Sequence, residues 1–247
     1  MKNFKNKPTL FSQIYDDIKD LIETKKLTEH KQLPTEFELC KDYSTSRITI
    51  RRALFELEKD GYIYKIRGKG TFIAPKQIIQ KRSHFSKFYD DVKNSGKKPK
   101  SKILSFRIIE AGEKISKKMN INKQEKVYEI TWIRFADNDP LIYENIFFLY
   151  SRFPGLESFD LENSIIYDIL KNNYSAKFTK GNERFTACLL TSEQASKLNK
   201  KKNDAGMKIE KTLWEKDSII EYTTAIIRAD RFVYTTEYNL NEGDIEK

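Results

Sequence analysis

Ser46-Arg47-Ile48-Thr49-Ile50-Arg51-Arg52-Ala53-Leu54 is the stretch on which the fold turns. Ser46 is a good N-cap, and Ile50, Leu54 and Leu57 recur at helical spacing, so a helix is predicted from Ser46 to about Lys59. Gly61 terminates it. Arg47 and Arg51 stand four residues apart, on one helix face. Upstream, Ser44-Thr45-Ser46 reads as a turn, and Thr35 with Glu38 has capping-box spacing for a short helix over 36–43. Leu10, Ile14, Ile18, Leu21 and Ile22 predict an amphipathic helix over about 10–25. Downstream the period changes from helical to extended. Tyr62-Ile63-Tyr64, a turn at Arg67-Gly68-Lys69-Gly70, and Thr71-Phe72-Ile73 read as a hairpin closed by Pro75.

Two helices joined by a short turn can place the second in a DNA major groove, with its first residues at base edges. Arginine suits that position because its fork matches guanine O6 and N7 as well as phosphate oxygens. Ser46 and Thr49 offer hydroxyls to phosphates, and the helix N-terminus adds partial positive charge. Lys65, Arg67, Lys69, Lys76, Lys81 and Arg82 follow with no acid among them. Gly68 and Gly70 allow close backbone approach to a groove, with Lys69 at the hairpin tip. An amphipathic bundle with a solvated basic hairpin accounts for any one of these features, but poorly for the ordered set.

The 247 residues suggest two domains, and 38% hydrophobic with 13% aromatic residues can supply a core to each. Lys+Arg 46 against Asp+Glu 36 gives +10, which favours a polyanionic partner and is weak by itself. The residues from Met1 to Gln13 hold no apolar core of a signal peptide, and no run approaches the roughly 18 apolar residues of a spanning helix. Cys40 and Cys188 read as reduced thiols of a cytoplasmic protein with no membrane partner. With only His30 and His84 and no CxxC, neither a metal site nor a cofactor is expected.

Residues 76–84 read as a linker between a 1–75 domain and an 85–247 domain. The second domain carries strand patterns over 102–109, 127–135, 141–148, 178–190, 207–215, 219–228 and 231–237. Asp137-Asn138-Asp139-Pro140 is a turn, and helices are expected near 85–95, 113–119, 164–172 and 192–199. Strands that follow one another without helices between them predict an antiparallel α+β domain.

Leu33-Pro34-Thr35-Glu36, the run from Ser46 to Leu54, Gly61-Tyr62-Ile63 and the run from Gly68 to Ile73 resemble the N-terminal signature of GntR-type bacterial regulators, without a gap from Leu10 to Ala74. The resemblance implies a winged helix-turn-helix in which Thr35, Ser46, Arg47, Thr49, Arg51 and Arg67 serve DNA binding and Gly68 and Lys69 enter the minor groove. Where the family usually has an arginine after the Pro-Ser-Glu segment, this chain has Phe37, and Lys41 is the alternative source of that contact.

From Phe85 to about Glu237 the chain is similar to the effector-binding UTRA domain of the HutC branch, whose fold resembles chorismate lyase. The landmarks are Phe88 with Gly96, Ile133-Arg134-Phe135-Ala136-Asp137, Glu144, Tyr167-Asp168-Ile169-Leu170, Ile220-Glu221-Tyr222 and Arg228-Ala229-Asp230-Arg231-Phe232. That similarity implies a homodimeric repressor on a palindromic operator, released by a small anion such as a phosphorylated sugar. Lys87, Trp132, Arg134, Glu144, Ser164, Tyr167 and Glu221 are the expected effector site. Arginine suits phosphate and carboxylates suit sugar hydroxyls, although a plain Arg134–glutamate salt bridge is the simpler alternative. Trp132 stands where sugar-phosphate sensors carry the first arginine of Arg-x-Arg, Lys87 where they carry serine, and Ile165 where their later serine falls, with Ser164 one step earlier. A lyase on the same fold and a sequence-blind DNA-coating protein are the rivals. The first lacks a nucleophile–base pair, and the second predicts no preference for a palindrome.

Overall fold

The computed structural model describes residues 9–24, 26–75, 77–81 and 88–235. The chain divides into two compact units, Met1–Lys76 and Gln77–Lys247.

The first unit runs α1 (Leu10–Glu23), α2 (Glu36–Asp42), α3 (Arg47–Lys59), β1 (Ile63–Ile66) and β2 (Gly70–Ile73). Ile14 and Ile18 of α1, Leu39 of α2, and Ile50, Leu54 and Leu57 of α3 meet Ile63 and Ile73 in one core. Each such burial contributes roughly 1.5–3 kcal/mol. The Thr35 capping box starts α2, and Ser46 caps α3 by accepting from the Thr49 amide at 3.3 Å. β1 and β2 pair antiparallel, with Ile66 opposite Gly70. Gln32 bridges to Phe72 outside the hairpin, and its Nε2 donates to the Lys69 carbonyl at 2.8 Å. The turn between the strands is thereby tied to the loop before α2.

The second unit is built on a sheet ordered β4-β5-β6-β9-β8-β7. Its strands are β4 (Pro99–Glu110), β5 (Lys126–Ala136), β6 (Asp139–Leu149), β7 (Lys180–Leu189), β8 (Ala205–Glu215) and β9 (Ser218–Arg228), every pairing antiparallel. Side chains alternate between faces. On one face Tyr128, Ile130, Trp132, Ile146 and Phe148 pack with Ile166 and Leu170 of α6 (Ile166–Tyr174). On the other, Phe147 and Tyr222 meet Ile115 and Met119 of α5 (Gly112–Met119), and Ile226 meets Ala195 of α7 (Ser192–Lys197). Two residues, Asp137 and Asn138, turn β5 into β6, and Asp137 takes a left-handed φ of 57°.

Part of the stretch read as a linker is a strand instead. β3 (Ile78–Lys81) pairs in parallel with β10 (Phe232–Thr235). Ile78 is fully buried, and its amide donates to the Arg231 carbonyl at 2.7 Å. Four residues flanked by polar ones are too short to show a strand period, so the pairing was invisible locally. Residues 82–87, with Arg82, His84 and Lys87, and residues 236–237 of the last expected strand lie outside the described residues, as does Lys76. α4 (Phe88–Asn94) comes next, with Val92 buried.

Candidate functional site

In the first unit the Thr35 hydroxyl belongs to the capping box, accepting from the Glu38 amide at 3.3 Å and donating to Glu38 Oε2 at 2.8 Å. The bonds from the Thr35 backbone and side chain hold the Glu38 carboxyl below its ordinary range. Ser46 Oγ and Thr49 Oγ1 lie 3.0 Å apart at the start of α3. Arg47 and Arg51 are exposed on α3, and Arg51 Nε meets Glu36 Oε2 at 2.8 Å. Arg67, Gly68 and Lys69 are exposed in the hairpin turn, where Gly68 takes φ 77° and Gly70 takes φ 121°. Only glycine adopts such angles without strain. The first unit thus brings its eight expected residues to two exposed places, the helix ends at α2–α3 and the hairpin tip.

In the second unit the strand registers assemble a polar cluster on the face that α6 covers. Trp132 on β5 stands opposite Glu144 on β6, and Trp132 Nε1 donates to Glu144 Oε2 at 2.5 Å. The same oxygen accepts from Arg134 Nε at 3.3 Å. The Arg134 guanidinium lies 3.5 Å from the Trp132 ring centroid and 5.8 Å from the rings of Phe88 and Tyr89 on α4. Its Nη1 donates to Ser101 Oγ at 2.9 Å, and Ser101 bonds Tyr89 at 3.0 Å. Arg134 is only 6% exposed, so this guanidinium is enclosed by aromatic rings rather than water.

Nearby on the same face, Glu221 is completely buried. Its Oε1 accepts from the Tyr167 hydroxyl at 3.0 Å and from Thr223 Oγ1 at 2.7 Å, and lies 2.9 Å from Lys211 Nζ. Its Oε2 has no hydrogen bond among the described residues. Burial raises the Tyr167 hydroxyl well above its ordinary value, and the Glu221 charge adds to that. For Lys211, burial pulls downward, but the charges of Glu221, Tyr167 and Glu144 outweigh it and hold the ammonium above the ordinary lysine value. The influence of Glu144 on both groups joins the two halves into one cluster.

The structure therefore brings together Trp132, Arg134, Glu144, Tyr167 and Glu221. Ser164 lies in the bend before α6 and makes no hydrogen bond among the described residues. Lys87 is outside them. Lys211, Ser101, Tyr89 and Thr223 were not anticipated. For Lys211 a signal existed: Ile209 and Leu213, two residues either side on β8, are both buried, so a lysine between them faces inward. On the opposite face a cleft of about 370 Å³ opens over Tyr143, Asn145, Lys208, Glu210, Tyr222 and Thr224. The Arg134–Glu221 cluster is instead filled by its own paired side chains. Both cations in it already face carboxylates, so a charged ligand has to exchange with those pairs.

A capped helix pair with an arginine-led second helix, a glycine hairpin, and a six-stranded antiparallel sheet around a buried ionic cluster are the features to be matched. Residues 10–73 match the bacterial regulatory proteins of the gntR family, and residues 94–233 match the UTRA domain. This chain belongs to the gntR family and carries a UTRA domain. A Bacillus subtilis relative, the uncharacterized HTH-type transcriptional regulator YurK, is 30% identical over 95% of this chain and 98% of its own. The HTH-type transcriptional repressor NagR of the same organism is 24% identical over 91% of this chain and 93% of its own. The crystal structure of PhnF from Mycobacterium smegmatis superposes with a TM-score of 0.69 at 18% identity, covering 94% of this chain and all of the other, and so shares the fold. As a gntR-family member the chain is a DNA-binding transcription regulator and not an enzyme. Among the described residues no helix is long and apolar enough to cross a membrane.

Proposed function

We propose that the protein is a homodimeric cytoplasmic repressor that occupies a palindromic operator and leaves it when a small anionic metabolite, of the phosphorylated-sugar kind, enters the Arg134–Glu221 cluster. The observation that carries the effector reading is the buried ionic cluster itself. Burying Arg134, Glu144, Lys211 and Glu221 on one sheet face is an expensive way to hold a domain together, since apolar residues of similar volume do as well or better. The arrangement makes sense as a receptor: Arg134 and Lys211 for an anionic group, Glu144 and the open oxygen of Glu221 for hydroxyl donors. The relatives include repressors of sugar-related operons, among them a probable fructoselysine utilization operon repressor of Escherichia coli.

On DNA, Ser46, Arg47, Thr49 and Arg51 take the major-groove side and Arg67, Gly68 and Lys69 the minor groove, while Thr35 fixes the start of α2. Two half-sites lie about one helical turn, ~34 Å, apart. The edge strand β7 carries the dimer contact. It ends the sheet among the described residues, and Phe185 and Leu189 on it are exposed at 38% and 65%. At the other edge β4 is blunted by Pro99, Lys100 and Lys102 and by a bulge at Ile103/Ser105.

The test is a thermal-shift screen of metabolites, sugar phosphates first, followed by release of operator DNA. A compound that both stabilises the protein and dissociates it from DNA, and that fails on Arg134→Ala, is the expected result. A stabiliser that leaves DNA binding untouched overturns the release mechanism.

A further inference from the structure

The exposed face of α3 is not uniformly polar. Ile48, between Arg47 and Thr49 in the first turn, is 81% exposed, the highest value of any large hydrophobic side chain described. Phe37, the second residue of α2, is 53% exposed. Neither takes part in the core of the unit. The Glu36–Arg51 contact at 2.8 Å ties the first turn of α2 to the exposed face of α3, so both apolar groups belong to one end of the helix pair. Cations frame them: Arg47 and Arg51 on α3, and Lys41, whose Nζ lies 4.5 Å from the Phe37 ring centroid.

A single exposed hydrophobic residue is ordinary and needs no account. Phe55, also exposed, lies two turns farther along α3 and is such a case. Ile48 and Phe37 differ in their place. The first turn of a groove-reading helix is where side chains meet base edges. The apolar group that a major groove presents there is the C5-methyl of thymine. A cytosine in the same position lacks that methyl, so the contact discriminates as well as binds.

We propose that Ile48 and Phe37 read thymine methyl groups, and that the operator carries thymine at the positions they face. The arginines and Lys41 supply the charged contacts around them. The inference rests on α3 being the groove-reading helix, as proposed above.

The test uses the full chain and a duplex that it selects from a random pool. Each thymine is replaced in turn by deoxyuridine, which removes one methyl and leaves the pairing edge intact. Dissociation constants are measured at one salt concentration for the natural chain, Ile48→Ala and Phe37→Ala, with thermal melting to verify that both exposed variants fold. Uracil at one or two positions per half-site is expected to weaken the natural chain about fourfold, the loss of one buried methyl. That penalty should vanish at one position in Ile48→Ala and at another in Phe37→Ala. Absence of any uracil-sensitive position, or equal penalties in the variants, overturns the proposal. Arg47→Ala separates the two levels: if it weakens binding while uracil does nothing, only the methyl reading fails. If Arg47→Ala also binds normally, the docking of α3 fails with it.

Discussion

The Lys211 ammonium sits 2.9 Å from the buried Glu221 carboxylate, its nearest counter-charge. An ammonium in that position without a partner would be driven toward its neutral form by burial. With the Glu221, Tyr167 and Glu144 charges around it, its value is instead raised above the ordinary 10.5. A raised value means the stabilisation is complete at neutral pH and fades only as pH climbs through the folded-state value. Removing one member is therefore worse than removing both. Lys211→Met leaves a carboxylate with no exposure and no cation, and is expected to cost about 3–5 kcal/mol. Glu221→Gln added to Lys211→Met takes away the stranded charge and should recover more than half of that loss. Urea midpoints of the full chain and the three variants check the cycle. Simple additivity of the two single losses would mean that the residues do not act as a pair.

Among the elements, the β1–β2 hairpin shows how little sequence can fix an exposed turn. Gly70 has φ 121°, and a Cβ there would lie 2.6 Å from Gln32 Nε2, the atom that holds the Lys69 carbonyl. Gly68 has φ 77° with nothing within 4 Å of its would-be Cβ. Gly70→Ala thus adds a clash to backbone strain and should cost roughly 1–3 kcal/mol and loosen DNA binding, whereas Gly68→Ala meets strain alone and should cost about 1 kcal/mol. Thermal melting and operator titration of the two variants give the comparison, and the reverse order would remove Gln32 from the account. The glycines, the Ser46 cap and the Ile50–Leu54–Leu57 stripe were legible in the sequence because each is a local signal within one element. Gln32 was not, because its role depends on a contact 37 residues away. The same contrast holds in the second unit. All six sheet strands were legible from their extended runs, whereas Arg134, Glu144 and Glu221 were expected from the resemblance to the UTRA domain. β3 was not legible, because its pairing depends on β10, and Lys211 only through its apolar strand neighbours Ile209 and Leu213.

At the scale of the whole molecule, a net charge of +10 and a charge-balanced buried cluster have separate consequences. The surface charge governs encounter with DNA and makes affinity fall steeply with salt. It carries no information about the effector. The cluster, whose two cations are each matched by a carboxylate, would under the proposed reading select which small molecule is accepted, and it contributes little to attraction at a distance. Regulation then needs a link between the two that electrostatic attraction does not provide, namely states of the protein that operator and effector favour differently. Such a link acts in both directions with one magnitude. If the effector weakens operator binding by a given factor, saturating operator must weaken effector binding by the same factor, typically about 5–150-fold. Calorimetric titration of the effector found in the screen, into free protein and into the protein–operator complex at equal salt, measures both. A shift in the effector constant equal to the shift in the operator constant is the expected result. Equal effector affinities in the two titrations would mean that effector and operator binding are not coupled, and would sink the release mechanism.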